Sequence, residues 1–579
     1  MKFNLIAIFV TISLSIFAQE NVLPKFLSPQ ENIELSDFQI FKNGITEPPT
    51  TNVRTMAEWE EAQALVVTWT SYTSVLSNIV KAAQTEGKVI IICNNPTTVK
   101  QNLTANQVDT NLNIIYLTTP FNSVWCRDYG ANSVYKNDVD SLYLVDWIYN
   151  RPRYKDDTTA VSISKLINTP LYTTTVAPYD LVNTGGNFMT DGSGIAFASK
   201  LVLEENGPNN KFGTSNHTSE GVDSIMKSFM GIDQYIKMEI LPDDGIHHID
   251  MHMKLLNETT LLVGEYPTGE KDATQIEANL QYVLQNYKTI FGTDFKVIRI
   301  PMPPYSNGTY PGNGFNRTYT NATFFNKTVI LPSYETKYDT TALRIWLEAL
   351  PGYKIAMVNC NSPIQAGGAV HCITKEIGVA DPIRIVHQPI NGAVEFSLTG
   401  FNISAKIQHI TGIKSATVYY RTDTSGAFST INMDQINQND FTAKFSSFPI
   451  GTHIYYYINV VTNNDRIRTH PIPAPDGLWH FYIQEPLNNQ EIDNNGIKLG
   501  TIYPNPASGI TCIPLINSGN EIIDVCITDI YGRTIKKIFS GHCTQNNLFV
   551  NVQELNNGIY NIILKSSKVI QNQKLVVNK

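Results

Sequence analysis

The sequence predicts an α/β domain of repeated strand–helix–strand units, followed by two all-β modules. Three runs of residues carry the α/β part. Residues 64–69 read as a buried strand, 76–83 as a helix and 88–93 as a second strand. The same order recurs at 261–266, 272–287 and 295–300, and again at 328–334, 340–350 and 354–358. Three similar units within one region point to a repeated architecture around a shared centre. Near Ala380 the helical periodicity stops, and short alternating runs separated by turn residues take over.

From the N-terminus, Lys2 precedes an apolar stretch over 5–17 and a small residue, Ala18, which together read as a signal peptide over 1–18. The apolar stretch is shorter than the roughly 20 residues that a membrane span needs, and no later segment supplies a span. Residues 19–50, with Pro24, Pro29, Pro48 and Pro49 and little periodicity, read as a pro-segment or linker. The α/β domain is then expected over 51–380. Residues 381–485 read as an immunoglobulin-like sandwich, from alternating runs at 415–421 and 453–461 with a turn at 424–426. A polar linker over 486–497 leads to a last all-β domain over 498–579. That domain is marked by Tyr503-Pro504-Asn505-Pro506, Asp529-Ile530-Tyr531-Gly532 and Gly558-Ile559-Tyr560.

Composition narrows the function. The 579 residues are 42% hydrophobic and 16% charged, as folded chains are. A formal net charge of −8 argues against general nucleic-acid binding, and no polybasic run suggests a membrane anchor. Seven cysteines, an odd number, leave at least one thiol free in an exported chain.

Five clusters hold residues capable of chemistry: Trp125-Cys126-Arg127-Asp128-Tyr129-Gly130, Asn150-Arg151-Pro152-Arg153, Gly185-Gly186-Asn187, His247-His248-Ile249-Asp250-Met251-His252, and Gly367-Gly368-Ala369-Val370-His371-Cys372. Each is ambiguous alone. Cys372 is expected at a strand end beside a tight turn, as a nucleophile or as a small core residue. His371 adjoins it, but neighbours on a strand face opposite ways, so another histidine would have to serve. His248 and Asp250 would share one face of a strand, suiting proton transfer beside a carboxylate. A surface turn or a metal site built from His247, His248, Asp250 and His252 is the competing reading. Asp128 reads equally as a charged turn, Gly185-Gly186 as a plain turn, and Arg151 with Arg153 as a solvated edge.

Together and in this order, the clusters resemble the agmatine deiminase and bacterial peptidylarginine deiminase family. Its pattern is Trp-x-Arg-Asp-x-Gly, Gly-Gly, His-x-Asp-Met and Gly-Gly-x-x-His-Cys, all found between residues 55 and 380. The resemblance implies a five-bladed, pseudo-symmetric α/β propeller, the pentein fold. It implies Cys372 as nucleophile, His248 as general acid and base, and Asp128 and Asp250 as ligands of the guanidinium. It also implies an active-site asparagine, assigned to Asn321 with Asn313 and Asn316 nearby, and Trp125 in the substrate site. Two carboxylates suit a planar cation with five N–H donors.

The order Tyr149-Asn150-Arg151-Pro152-Arg153 resembles the peptidylarginine deiminases, whose arginines at these places hold the substrate α-carboxylate. Agmatine has no carboxylate. Thr184 also stands before Gly-Gly, where agmatine deiminases have glutamate. The immunoglobulin-like module and a C-terminal end resembling a type IX secretion sorting domain agree with an exported or cell-surface enzyme. The expected activity is therefore hydrolysis of the arginine guanidinium, preferably at the C-terminus of peptides or proteins, to citrulline and ammonia. The expected partners are arginine peptides and the type IX secretion machinery. The alternatives are a deiminase of agmatine or free arginine, and an inactive surface-displayed binding protein. No cofactor or catalytic metal is required; structural calcium stays open, since no EF-hand loop occurs.

Overall fold

Five small sheets with one shared strand pattern make up the α/β domain of the computed structural model. The structure describes residues 22–310, 315–485, 497–516, 522–530, 532–542, 545–566 and 570–579. The expected signal peptide, nearly all of the 486–497 linker, Asn313, Tyr531 and Cys543 lie outside the described residues.

In each sheet an antiparallel pair is followed by a helix and a third strand parallel to the second. The first joins Asn132–Lys136, Ser141–Trp147 and Leu171–Thr174, with helix Thr159–Ile167 in the crossover and Val53–Thr55 added at the edge. The second joins Met189–Thr190, Ile195–Ser199 and Gln234–Met238 through helix Ser219–Met230. The third runs Met253–Asn257, Thr260–Glu265, Lys296–Pro301 through helix Lys271–Asn286. The fourth runs Thr323–Phe325, Thr328–Ser333, Lys354–Asn359 through helix Thr336–Ala349. In the fifth, Lys375–Gly378 returns to pair with Ala62–Thr68, which continues through helix Thr73–Ala83 to Lys88–Cys93 and Ile114–Thr118. The last strand of the domain thus pairs with one of its first, closing the set.

The middle strands are apolar and buried on both faces, as parallel strands covered by helices must be. Leu65, Val67, Ile91, Leu262, Val263, Ile330 and Leu331 are all fully buried. All three units predicted from periodicity are present. Helix Thr336–Ala349 begins four residues before the predicted 340, because the polar Thr336-Lys337-Tyr338-Asp339 turn carries no apolar repeat.

The unit that contains this domain runs through Gly392 and takes in Gly400–Ser446 and His453–Phe481. After residue 383 it is all strand. Arg384–His387, Phe401–Gln408 and Asp440–Phe445 form one sheet, and Ile413–Arg421 pairs with His453–Thr462 in another. The second unit includes Tyr482–Lys579; its described residues form strands and loops without helix, with Ile513, Val525, Ile562 and Leu575 in its core.

Leu262→Ala, at a fully buried site in the middle of the third sheet, should lower the stability of the α/β domain by about 2–5 kcal/mol. Leu398→Ala, at a position 84% exposed, should change it by less than about 0.5 kcal/mol. Urea melts of the two variants check this contrast.

Candidate functional site

Four of the five clusters, and Asn321, lie in loops that lead into the first strand of a sheet, whereas residues 150–153 follow the second strand, Ser141–Trp147, of the first sheet. Asp128 sits in the short helix Cys126–Tyr129 before Asn132–Lys136. Gly185-Gly186 form a 3-10 turn before Met189–Thr190. His248 caps the turn Ile249–Met251 before Met253–Asn257. Asn321 precedes Thr323–Phe325, and Cys372 lies in the turn His371–Ile373 before Lys375–Gly378. Five equivalent loops from five similar sheets therefore deliver the site. One expectation is corrected here. His248 and Asp250 do not share a strand face: His248 caps the tight turn Ile249–Met251 and Asp250 lies within it, while Cys372 sits, as expected, on a turn at the start of a strand. A turn bends the chain so that residues next to one another can still face one centre.

Around the Cys372 thiol, which is fully buried, the contacts are specific. Asn321 Nδ2 donates to Sγ at 3.2 Å, while its Oδ1 accepts from the backbone N–H of His371 at 3.1 Å and of Cys372 at 3.4 Å. Asn316 does not reach the thiol; its amide faces Asp272 at 3.5 Å. Asp250 Oδ2 lies 3.8 Å from Sγ and 2.7 Å from His371 Nδ1. His371 thus touches the site through Asp250, and its other nitrogen is held by Glu58. Sequence alternation dismissed His371 and offered no signal for Glu58.

Asp128 Oδ1 accepts from Gly186 N–H at 3.2 Å and lies 3.6 Å from His248 Nδ1. Thr184 Oγ1 holds the opposite nitrogen, Nε2, at 3.0 Å, so the departure from glutamate at this place still orients the imidazole. Arg127 is an internal brace. It makes two bonds to the Glu376 carboxylate at 3.1 and 2.7 Å and one to the His371 carbonyl at 3.2 Å, tying the Asp128 helix to the Cys372 turn.

The site also holds a group that sequence reading missed. Lys25 is fully buried, donates to Cys372 Sγ at 2.9 Å and lies 3.8 Å from Asp128 Oδ1. Burial opposes its charge, but Asp128, Asp250 and Cys372 hold it protonated above the ordinary lysine range. Burial and Asp250 push the thiol up to about 12, with Lys25 pulling it down. Burial and the Lys25 charge hold His248 well below the ordinary histidine range. Asp250 stays ionised, since Lys25 and His371 outweigh its burial, whereas burial raises Asp128 against the pull of Lys25.

Arg151 and Arg153 are buried, which sets aside the solvated-edge reading. Arg151 Nε donates to the Lys25 carbonyl at 2.9 Å; Arg153 pairs with Glu31 at 2.6 Å and with the Pro24 carbonyl at 2.6 Å. Trp125 Nε1 donates to the Leu23 carbonyl at 2.9 Å, and its ring lies against Gly368. A cleft of about 720 Å³ is lined by Phe26, Arg151, Asp244, His247 and Phe315. Among the described residues no group of three or more His, Cys, Asp or Glu side chains converges as a metal ion would require.

The glycines explain themselves by approach distance. A Cβ on Gly186 would stand 2.3 Å from His248 Nδ1 and 3.0 Å from Asp128 Oδ1. One on Gly368 would stand 2.6 Å from the Trp125 ring and 2.9 Å from Cys372 Sγ.

Comparison with known proteins finds relatives for two parts of the chain. Residues 54–377 match the model of the Porphyromonas-type peptidyl-arginine deiminase, and residues 501–578 match the secretion system C-terminal sorting domain. That C-terminal domain marks the chain for type IX secretion and attachment at the cell surface, and no helix among the described residues is long and apolar enough to cross a membrane. A Legionella pneumophila (strain Paris) protein provisionally named as an agmatine deiminase is 27% identical over 277 residues, 46% of this chain and 75% of that one. A Vibrio parahaemolyticus protein with the same provisional name is 26% identical over 287 residues, 45% of this chain and 76% of that one. A solved structure, also provisionally named as an agmatine deiminase, covers 58% of this chain and 99% of its own at 19% identity and a TM-score of 0.50. At that identity the likeness speaks to the fold alone, and it puts the α/β domain in the fold of the deiminases.

Gly186→Ala should displace His248 or Asp128 by enough to lower turnover of a guanidine substrate on the order of a hundredfold, at a cost of about 1–3 kcal/mol in stability. Ammonia release and a thermal melt on the same sample check both parts.

Proposed function

Because the chain belongs to the Porphyromonas-type peptidyl-arginine deiminase family, we propose that it is an exported deiminase acting on the C-terminal arginine of peptides and proteins. The observation that carries the choice of substrate is the bond from Arg151 Nε to the Lys25 main-chain carbonyl, 2.9 Å long, beside a side chain that reaches Cys372. In a substrate arginine entering the same way, the α-carboxylate would stand at that carbonyl. Agmatine carries nothing there, and would leave Arg151 with its partner lost inside the fold.

In this reading Asp128 and Asp250 hold the guanidinium, and Asn321 fixes the thiol beneath its central carbon. The thiol proton passes to His248, and the thiolate attacks that carbon. His248 returns the proton to the departing nitrogen, and ammonia leaves a thiouronium on Cys372. Neutral His248 then takes a proton from water as its oxygen attacks; the C–S bond breaks, and the thiolate recovers that proton from His248. The remaining hydroxyl proton passes to solvent, where it turns the released ammonia into ammonium, and citrulline is released. The bound cation lowers the cost of the buried thiolate, as the Lys25 charge already does. Trp125 forms one wall of the site, and Arg151 with Arg153 grips the carboxylate.

We also read the five sheets as blades of a pseudo-symmetric propeller, supported by their shared strand pattern and closing pair. Residues 381–485 are read as the immunoglobulin-like sandwich, supported by the two sheets around Phe445 and Tyr456. The remaining bounds are kept as expected from the sequence, with the signal peptide over 1–18 and the sorting domain from 498.

A peptide ending in arginine, the same peptide amidated, and agmatine separate the readings when citrulline or carbamoylputrescine is measured. The free C-terminus should be used best. Agmatine used best would overturn the substrate reading while keeping the chemistry, and no product from any of them, with the segment Leu23–Phe38 released as well as in place, would leave a binding protein. Cys372→Ala should abolish turnover without unfolding the chain. Arg151→Ala combined with Arg153→Ala should depress use of the C-terminal arginine on the order of a hundredfold, two lost charge-assisted contacts, and spare agmatine. Equal losses on both would count against the grip.

A further inference from the structure

The N-terminal segment from Leu23 to Phe38 is built into the site as a substrate would be. Lys25 Nζ is the sixth atom along its side chain counting from Cα, and the guanidinium carbon of arginine is also the sixth. Nζ therefore lies where the attacked carbon would lie, 2.9 Å from Cys372 Sγ, within reach of attack. Lysine offers the cation that Asp128 and Asp250 require, but no electrophilic carbon. It can fill the site and cannot be turned over.

The main chain is held as firmly as the side chain. Lys25 N–H donates to Ala366 O at 2.8 Å, its carbonyl accepts from Arg151, and Trp125 and Arg153 bond the carbonyls of Leu23 and Pro24. Phe26 stacks on Phe315 with ring centroids 5.2 Å apart. Downstream, Ser28 and Glu31 form a reciprocal capping box that starts the helix Pro29–Glu34, with Pro29 at its first position. The box aims the Glu31 carboxylate at Arg153, which holds its pKa below the usual range against the effect of burial. Leu35 and Phe38 then pack with Ile148, Val182 and Phe212. Beyond Phe38 the chain has no regular structure, and Phe41 and Lys42 are exposed. At Ile45 it is tied down again, by a bridge to Tyr172.

We propose that Leu23–Phe38 is a resident, unreactive substrate mimic that keeps the exported enzyme silent. Its release follows hydrolysis of the Lys42–Asn43 bond by a peptidase that cuts after lysine. Lys25 is shielded from such a peptidase by burial, whereas Lys42 is open to it. The inference rests on the proposed deiminase reading for its chemistry, but the occlusion itself is independent of it.

The test uses the full chain and the chain cut at Lys42 by limited trypsin digestion, then freed of the released segment by gel filtration. Alkylation of Cys372 by iodoacetamide is followed by peptide mass spectrometry, which needs no enzymatic activity. Cutting should speed alkylation by about tenfold or more, as a buried thiol becomes accessible, and Lys42→Gln should prevent that gain. Lys25→Ala in the uncut chain should give a similar gain. Because that variant removes a buried charge, Glu31→Gln, which loosens the segment away from the thiol, is measured beside it and should also raise the rate. Lys25→Arg should convert the mimic into a substrate, leaving citrulline at position 25 of the uncut chain. Equal alkylation of cut and uncut chains would overturn the inference. A cut chain whose thiol opens but which releases no citrulline would sustain the mimic and overturn the deiminase reading instead.

Discussion

One buried positive charge organises the centre of this protein. Asp128, Asp250 and the Cys372 thiol converge on a point shielded from water, and two carboxylates there are tolerable only with a cation between them. Lys25 supplies it in the structure described, and a guanidinium would supply it in turnover. Around that point the fold works to keep the anions in place. His371 and Glu58 hold Asp250, the Gly186 amide holds Asp128, and Arg127 braces the Asp128 helix to the cysteine turn. Because the donors are fixed before the cation arrives, little reorganisation is left for the moment of reaction.

The repeat explains why such distant residues meet. Each sheet presents the loop before its first strand at the same relative place, so five sheets bring five short loops together. Asp128, Gly186, His248, Asn321 and Cys372 each ride on one of them. Strand pairing between Lys375–Gly378 and Ala62–Thr68 brings the last loop back beside the first. The loops carry the side chains while the strands beneath carry the core, and Thr184 in one of these loops holds His248 at 3.0 Å.

Much of this was legible in the chain. Apolar runs bounded by turns marked the central strands, and the four ordered motifs marked four of the five loops. Legibility failed where a role depends on partners far away in sequence. Lys25 lies in an ordinary Leu-Pro-Lys-Phe stretch, and its thiol partner is 347 residues distant. The helix Pro29–Glu34 is too short to show a period, although Ser28 and Glu31 carried a capping signal that composition alone hid. His371 was set aside by strand alternation, which does not apply on the turn it occupies. The buried state of Arg151 and Arg153 was likewise invisible, because a polar pair around a proline reads the same on an edge as in a core.

The most direct test of the account is to trap the enzyme during turnover. The chain cut at Lys42 would be mixed with an arginine-terminated peptide, quenched in acid within a turnover and digested for mass spectrometry. The account predicts an adduct on Cys372 with the mass of the peptide less ammonia, fading as citrulline accumulates. Citrulline formed with no adduct on Cys372, or with the adduct on another cysteine, would contradict it.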